Sequence, residues 1–400
     1  QGIQPNLPEL KHIVVVDGQG ANSYEALLSG PAWEKDADAA SILGAHRPGP
    51  DDITQLIYTS GTTGEPKGVM HSANTVMANI IPYAQRLQLD AEDVVLMASP
   101  MAHQTGFMYG LMMPIMLKAS AVLQDIWEPK KAVEVINSEK ASFTMASTPF
   151  LTDLTKAVVD NKTPVPTLKT FLCAGAPIPG PLVEQARAAL GTKIVSAWGM
   201  SENGAVTLIA LDDPDERAFT TDGKPLAGVE LKVVDTDGKT LPAGEAGKLY
   251  VRACSNFGGY LKRPHLNGTD AEGWFDTGDL ARMDAQGYIR ITGRSKDVII
   301  RGGENIPVVE IESLLYRHPA VAMAAIVAYP DERLGERACA VVVTKPGQSF
   351  DMPTMVAYLK EQKVAIQYIP ERLEVRDAMP STPSGKIQKF KLRDELRGAA

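Results

Sequence analysis

From its first residue to about Gly293 the chain alternates short β-rich runs with helix-like stretches, and few architectures accept that pattern. The runs are HIVVV, VVLMAS, AVLQ, SFTMAS, TFLCAG and KIVSAWG. Between them lie the helix-like stretches Thr75–Leu87, Lys130–Glu139, Leu151–Val159 and Pro181–Leu190. Strands alternating with helices predict an α/β domain around a largely parallel sheet. After about Asp212 the segments VELKVVD, GKLYVRA and GYIRITG are separated by Gly, Asp and Pro. They read as hairpins of a smaller β-rich subdomain, about 212–293, with turn signals at Asp235–Gly238 and Asp284–Gly287. A polar break follows at GRSKD. The tail then offers VIIRG, a helix over Val308–Arg317, AAIVAY, RACAVVV, a helix over Thr354–Gln362 and a loop over Pro380–Lys389. The expected organisation is a large domain over 1–295 and a small α+β domain over 296–400.

The rest of the chain excludes several function classes. The net charge is -8 with no basic block, which argues against nucleic acid as a partner. Cys173, Cys254 and Cys339 lie far apart, so neither a disulfide framework nor a zinc site is expected, and a cytoplasmic location fits. No signal peptide is evident, and no apolar run suffices for a transmembrane segment. The nearest, around Leu111–Leu117, holds Pro114 and reads as a buried segment. The chain starts at Gln1, and Lys11–Asp17 (KHIVVVD) already reads as a strand. It therefore looks entered partway through.

The sharpest local signal is Ile57–Gly68, spelled IYTSGTTGEPKG. Glycines let a backbone approach a phosphate closely. Thr59, Ser60, Thr62 and Thr63 bring hydroxyl and amide donors, Gly61 and Gly64 bring freedom, and Lys67 brings charge. That is the chemistry of a polyphosphate cradle. It is not a Walker A loop, because Gly64 and Lys67 are separated by Glu-Pro and Gly68 follows the lysine. A loop of this composition alone also suits a plain surface turn.

The spelling, however, resembles the signature of the adenylate-forming superfamily: acyl-CoA synthetases, peptide-synthetase adenylation domains and firefly-type luciferases. Further motifs of that family follow in order, over about residues 50–390. Pro100-Met-Ala-His103 resembles the segment bordering the acyl pocket, and Gly175-Ala176-Pro177 the loop along the adenine. Trp198-Gly199-Met200-Ser201-Glu202, preceded by Ala197, resembles the aromatic-G-[ML]-[ST]-E motif. Gly273–Asp279 and Gly293–Asp297 resemble the ribose-binding and hinge motifs, with Ile291 on the nucleotide side. Pro383-Ser-Gly-Lys386 resembles the C-terminal lysine loop.

The resemblance implies roles residue by residue. Glu202 would ligate Mg²⁺, a hard cation preferring carboxylate and phosphate oxygens; SENG would equally suit the start of a helix. Asp279 would accept ribose hydroxyls, and Arg294 would donate to ribose or phosphate. Trp198 offers a flat face near adenine or a structural aromatic. Lys386 would meet the charge that develops at the α-phosphate. His103 would border the carboxylate site, whereas His71 has no assignment. The reaction implied is activation of a carboxylic acid by ATP, then acyl transfer to coenzyme A after the C-terminal domain swings about Lys296, bringing Gly302-Gly303-Glu304 beside the thiol channel. No acid lies near His103 to pair with an amino-acid ammonium. Phe107, Met145, Ala146, Ala174, Ala197 and Met200 suit an apolar acyl group, and the closest resemblance is to cyclohexanecarboxylate and short- or medium-chain fatty acyl-CoA ligases. Relatives carry further residues ahead of this point, so a nucleotide-binding remnant, or a luciferase-like enzyme with another acceptor, stays open. So does the choice between monomer and homodimer.

Overall fold

The structure, a computed structural model, describes residues 7–20, 22–30, 35, 38–59, 66–175, 178–382 and 387–398. The chain forms two compact units, Gln1–Gly49 and Pro50–Ala400. In the first, the helices Tyr24–Leu28 and Ala39–Ala45 are the regular elements. The valine-rich run expected as a strand is not one. It makes a single bridge, Val15 with Ser23, and Asp17 turns the chain at φ 53°. A β-branched run favours extended backbone, but a strand requires a partner ladder, and among the described residues of this unit there is none for it. Val14, Val15 and Val16 remain exposed.

The second unit is built on a seven-stranded sheet. Its order is Ser120–Leu123, Val94–Met97, Phe143–Ala146, Thr170–Ala174, Lys193–Met200, Gly204–Leu208 and Lys224–Pro225. The first five strands run parallel, Gly204–Leu208 runs against them, and Lys224–Pro225 pairs antiparallel with it. The helices Ala73–Arg86, Pro129–Glu139, Thr148–Asn161 and Gly180–Leu190 carry the chain between strands. Their starts are chemically marked. Ser72 and Thr75 form a reciprocal capping box, and the Glu128 carboxylate accepts the amides of Lys130 and Lys131 ahead of Pro129. Val95, Phe143, Leu172, Val195 and Ile80 are buried in one continuous core. From Val94–Met97 the chain moves outward to Ser120–Leu123, then returns to the other side of Val94–Met97 as Phe143–Ala146. Open α/β sheets hold ligands at the carboxyl ends of the strands beside such a reversal.

The segment around Leu111–Leu117 is a π-helix, Gly106–Met112, continuing into the α-helix Met113–Leu117. Met113 and Pro114 are buried as expected, while Leu111 and Ile115 face outward. Among the described residues no helix is long and apolar enough to cross a membrane.

The β-rich region is a four-stranded antiparallel sheet in the order Val229–Val234, Ala246–Ala253, Phe275–Met283, Ile289–Arg294. Asp235 and Asp284 make the expected turns, each carboxylate accepting amides two and four residues on. In the tail, Val321–Asp331 and Gly335–Thr344 form the central antiparallel pair. Ala324 and Ile326 face the helices Val308–Arg317 and Met352–Glu361, while Ala325 and Val327 face Leu392 and Leu396 of a last helix, Lys389–Gly398. A strand buried on both faces loses its polar alternation, which is why AAIVAY reads as a plain apolar run.

Candidate active site

The phosphate-loop signature closes a β-hairpin. Ile53–Thr59 pairs antiparallel with Lys67–Ser72, and Thr59 stands opposite Lys67. Both ends of the signature are thus anchored by ladder hydrogen bonds. The second strand is held on its other edge by the segment around Tyr260: Gly258 and Leu261 donate amides to the Met70 and Gly68 carbonyls, and Met70 donates to Gly259. Val69, Phe257, Tyr260 and Phe275 form a small apolar cluster, with Met200 packed against it. Ser60, Gly61, Thr62, Thr63 and Gly64 lie outside the described residues, as do Ala176, Pro177, Lys386 and the side chain of Lys296.

Lys67 and Glu202, distant in sequence, meet here. Lys67 Nζ donates to the Tyr260 hydroxyl at 2.7 Å, and that hydroxyl donates to Glu202 Oε1 at 2.6 Å. Lys67 Nζ stands 3.9 Å from the same carboxylate oxygen and 4.0 Å from the centre of the Tyr260 ring. Glu202 and Tyr260 are each 4% exposed. Burial lowers the Lys67 pKa; Glu202 pulls it back up, Arg294 lowers it again, and the net direction is down.

Glu202 does not begin a helix. It sits in the turn between the antiparallel strands Lys193–Met200 and Gly204–Leu208. The turn is held from two sides, by Phe257 donating to the Glu202 carbonyl and by His71 Nε2 at 2.8 Å from the Ser201 carbonyl. A carbonyl only accepts, so Nε2 carries the proton and Nδ1 faces Thr75 Oγ1 at 2.9 Å. His71, unassigned by sequence, therefore ties the phosphate hairpin to the Glu202 turn. Gly199 is required on steric grounds, because a Cβ there would stand 2.0 Å from the Gly204 carbonyl oxygen.

A second charged group lies on the β-rich sheet. Asp279, 4% exposed, faces Arg294 across the Phe275–Met283 and Ile289–Arg294 pair. Its carboxylate is ion-paired with Arg294 Nε at 3.1 Å and accepts from Trp198 Nε1 at 2.9 Å. Trp198 is 8% exposed, so its indole works here as a hydrogen-bond donor to Asp279 rather than as an open flat face. Each Asp279 oxygen keeps further acceptor capacity. Ile291 donates its amide to Asp222 Oδ2 and packs on the same sheet.

The proposed acyl-pocket residues gather on adjacent strand ends. Ala174 pairs with Ala197, and Ala146 with Cys173. Phe107 lies in the π-helix, and Met200 ends the Lys193–Met200 strand. His103 is exposed in the turn after Val94–Met97, its Nδ1 accepting the Thr105 amide. Beside it, Gln104 and Gln55 form a buried amide pair at 2.9 Å that joins the phosphate hairpin to this turn. Gly175 has φ +90°. Gly302 and Gly303, at φ +60° and +93°, form the two-residue turn between Ile299–Arg301 and Glu304–Ile306. Successive positive φ values are what a tight hairpin needs. Sequence reasoning missed Tyr260, Gln55 and Gln104. No spacing rule marks GGYLK, and only pairing across the fold reveals these residues.

Comparison with known proteins accounts for this arrangement. Residues 1–261 match the family AMP-binding enzyme, and residues 310–386 match the AMP-binding enzyme C-terminal domain. The chain belongs to this adenylate-forming family. It is 40% identical over 397 residues to the medium-chain fatty-acid–CoA ligase of Escherichia coli (strain K12), covering 98% of this chain and 69% of that protein. It is 34% identical to a salicylyl-CoA synthase/salicylate adenylyltransferase of a Streptomyces species, covering 96% and 70%. Among solved structures, ATP-bound MatB from Rhodopseudomonas palustris superposes with a TM-score of 0.82 at 29% identity, covering 88% of this chain and 70% of that one. MenE from Bacillus subtilis with ATP and magnesium ion gives 0.78 at 29% identity, covering 86% and 70%. Acyl-CoA synthetase is thus the enzyme class of this chain, with the large α/β region and smaller C-terminal part expected of the fold.

Proposed function

We propose that this chain is an ATP-dependent acid–thiol ligase that adenylates a fatty or alicyclic carboxylic acid and passes the acyl group to coenzyme A, releasing AMP and pyrophosphate. The supporting observation is the pair of charged groups on one face: Lys67 with Glu202, and Arg294 with Asp279, close enough that Arg294 perturbs Lys67. In this assignment Lys67 and Thr59, with Ser60, Thr62 and Thr63, hold the β- and γ-phosphates. Asp279 accepts the ribose hydroxyls and Arg294 donates to the nucleotide. Lys386 meets the carboxylate and α-phosphate. Positioning and charge neutralisation supply most of the catalysis in such transfers.

The residues present fit a magnesium ion carried in with ATP. No group of three acidic, His or Cys side chains that could hold a metal lies among the described residues. Magnesium commonly takes one or two carboxylates and completes its shell with phosphate oxygens and water. Glu202 is a buried carboxylate beside the phosphate-binding lysine and suits that pattern. When bound, the ion would neutralise phosphate charge. The free cysteines, two of them buried, suit a reducing compartment such as the cytoplasm.

For the second step we assign the domain junction to 296, with Gly302–Gly303 on the coenzyme A side. The apolar lining by Met145, Ala146, Ala174, Ala197, Met200 and Phe107 favours a medium-chain acyl group, in keeping with the Escherichia coli relative. A pyrophosphate-exchange assay across straight-chain, alicyclic and aromatic acids tests the first step, and thioester formation with coenzyme A tests the second. Exchange with medium-chain acids and a coenzyme A thioester product is expected. ATP binding without exchange for any acid would mean a nucleotide-binding protein, and exchange without thioester would mean another acceptor.

A further inference from the structure

We propose that Tyr260 is a positioning residue of this site, a hydroxyl wedge that holds the Lys67 ammonium and the Glu202 carboxylate ready for ATP and its metal instead of letting them neutralise each other. The inference deepens the function proposed above and rests on it for the identities of the two ligands.

The geometry is specific. An ammonium and a carboxylate in a shielded site attract strongly and close to direct hydrogen-bond distance, near 2.8 Å, if nothing intervenes. Here they stand 3.9 Å apart, and the Tyr260 oxygen bridges them from one side, accepting from Lys67 at 2.7 Å and donating to Glu202 at 2.6 Å. The ring adds a second hold, lying 4.0 Å beneath the ammonium. The wedge is itself fixed. Tyr260 is buried, its ring packs edge-on against Phe257 at 4.7 Å, and its amide donates to Asn267. Its neighbours Gly258, Gly259 and Leu261 pair with the very strand that carries Lys67. Tyr260 therefore moves with the phosphate hairpin and reports its position to the Glu202 turn.

The consequence is energetic. Without the hydroxyl, Lys67 can close directly on Glu202, and an incoming metal–nucleotide must first break that pair. Binding would weaken, while events after binding would change little.

The test is Tyr260→Phe, which keeps the ring and its packing. Two quantities are compared with the parent protein: the magnesium concentration for half-maximal pyrophosphate exchange and KM for ATP. Several-fold increases in both, with kcat within about twofold, are expected. Unchanged values for both, or a fall in kcat with KM unaltered, would overturn the proposal. Titration calorimetry of ATP with magnesium on both proteins separates this inference from the activity itself. If the parent protein binds but exchanges with no acid, weaker binding by the variant still supports the wedge while the ligase assignment fails; equal binding refutes the wedge, and no binding by either protein refutes both. A thermal melt of the variant checks that the fold is kept.

Discussion

Lys67 shows how far a residue's chemistry depends on what surrounds it. In sequence it is one cation in a glycine-rich loop, whereas in the fold it is half-buried between Tyr260, Glu202 and the field of Arg294. Its lowered pKa carries a sign. As pH rises, Lys67 loses its proton earlier than an ordinary lysine, and its hold on phosphate goes with it. We expect kcat/KM for ATP to fall on the alkaline side for this reason. Lys67→Arg, which stays charged at any accessible pH, should flatten that limb even though its overall level drops. A limb identical in both proteins would assign the titration elsewhere. Gly199 makes the steric counterpart. A methyl at 2.0 Å from a backbone oxygen has nowhere to go, so Gly199→Ala should cost about 3 kcal/mol in denaturant unfolding.

At the scale of elements, the short 3-10 turn Ser295–Asp297 joins the β-rich sheet to the strand Ile299–Arg301. Asp297 is gripped by Arg393 at 2.6 Å, from the last helix, which is anchored in turn by Lys389 on Glu312. Burial raises the Asp297 pKa, but the Arg393 hydrogen bond and the charges of Lys389, Arg393 and Arg294 outweigh it, and the net direction is down. A depressed carboxylate pKa contributes stability that is complete above the unfolded value and is lost as pH falls through the folded one. Asp297→Asn should therefore reduce stability by about 2 kcal/mol at neutral pH and flatten its acid dependence, as followed by urea unfolding. Lys296→Pro addresses the swivel itself. Proline fixes φ at the junction, so pyrophosphate exchange should survive and thioester formation should stop. Equal loss of both would remove Lys296 from the hinge. The strand–helix alternation was legible because each parallel crossover repeats one pattern. The last helix, KFKLRDELRG, was not, because Leu392 and Leu396 face the core and six of its other eight residues are charged.

For the molecule as a whole, binding and stability are linked. A ligand that binds only the folded chain stabilises it by about 2.7 kcal/mol at one hundred times its Kd. ATP with magnesium should raise the melting temperature of the parent protein. Glu202→Gln should raise it less with magnesium present than the parent does, and the two should converge in EDTA. An equal shift for both proteins under both conditions would take Glu202 out of the metal site.

The ordered motifs fixed the family and the residue types of the site, because phosphate, ribose and metal each demand particular donors and acceptors wherever the chain folds. Local patterning likewise determined most strands, helices and turns of the Pro50–Ala400 unit. It failed at Lys11–Asp17, where strand propensity finds no partner strand among the described residues. Tertiary structure alone decided which distant residues meet. It turned the phosphate loop into a paired hairpin and placed Glu202 in a strand turn. It also gave Trp198 to Asp279 and His71 to the Ser201 carbonyl, and set the Tyr260 hydroxyl between Lys67 and Glu202. Those contacts join residues as much as 193 positions apart. No periodicity or spacing along the chain encodes them, because they arise only when sheet registers bring separate segments within hydrogen-bond reach.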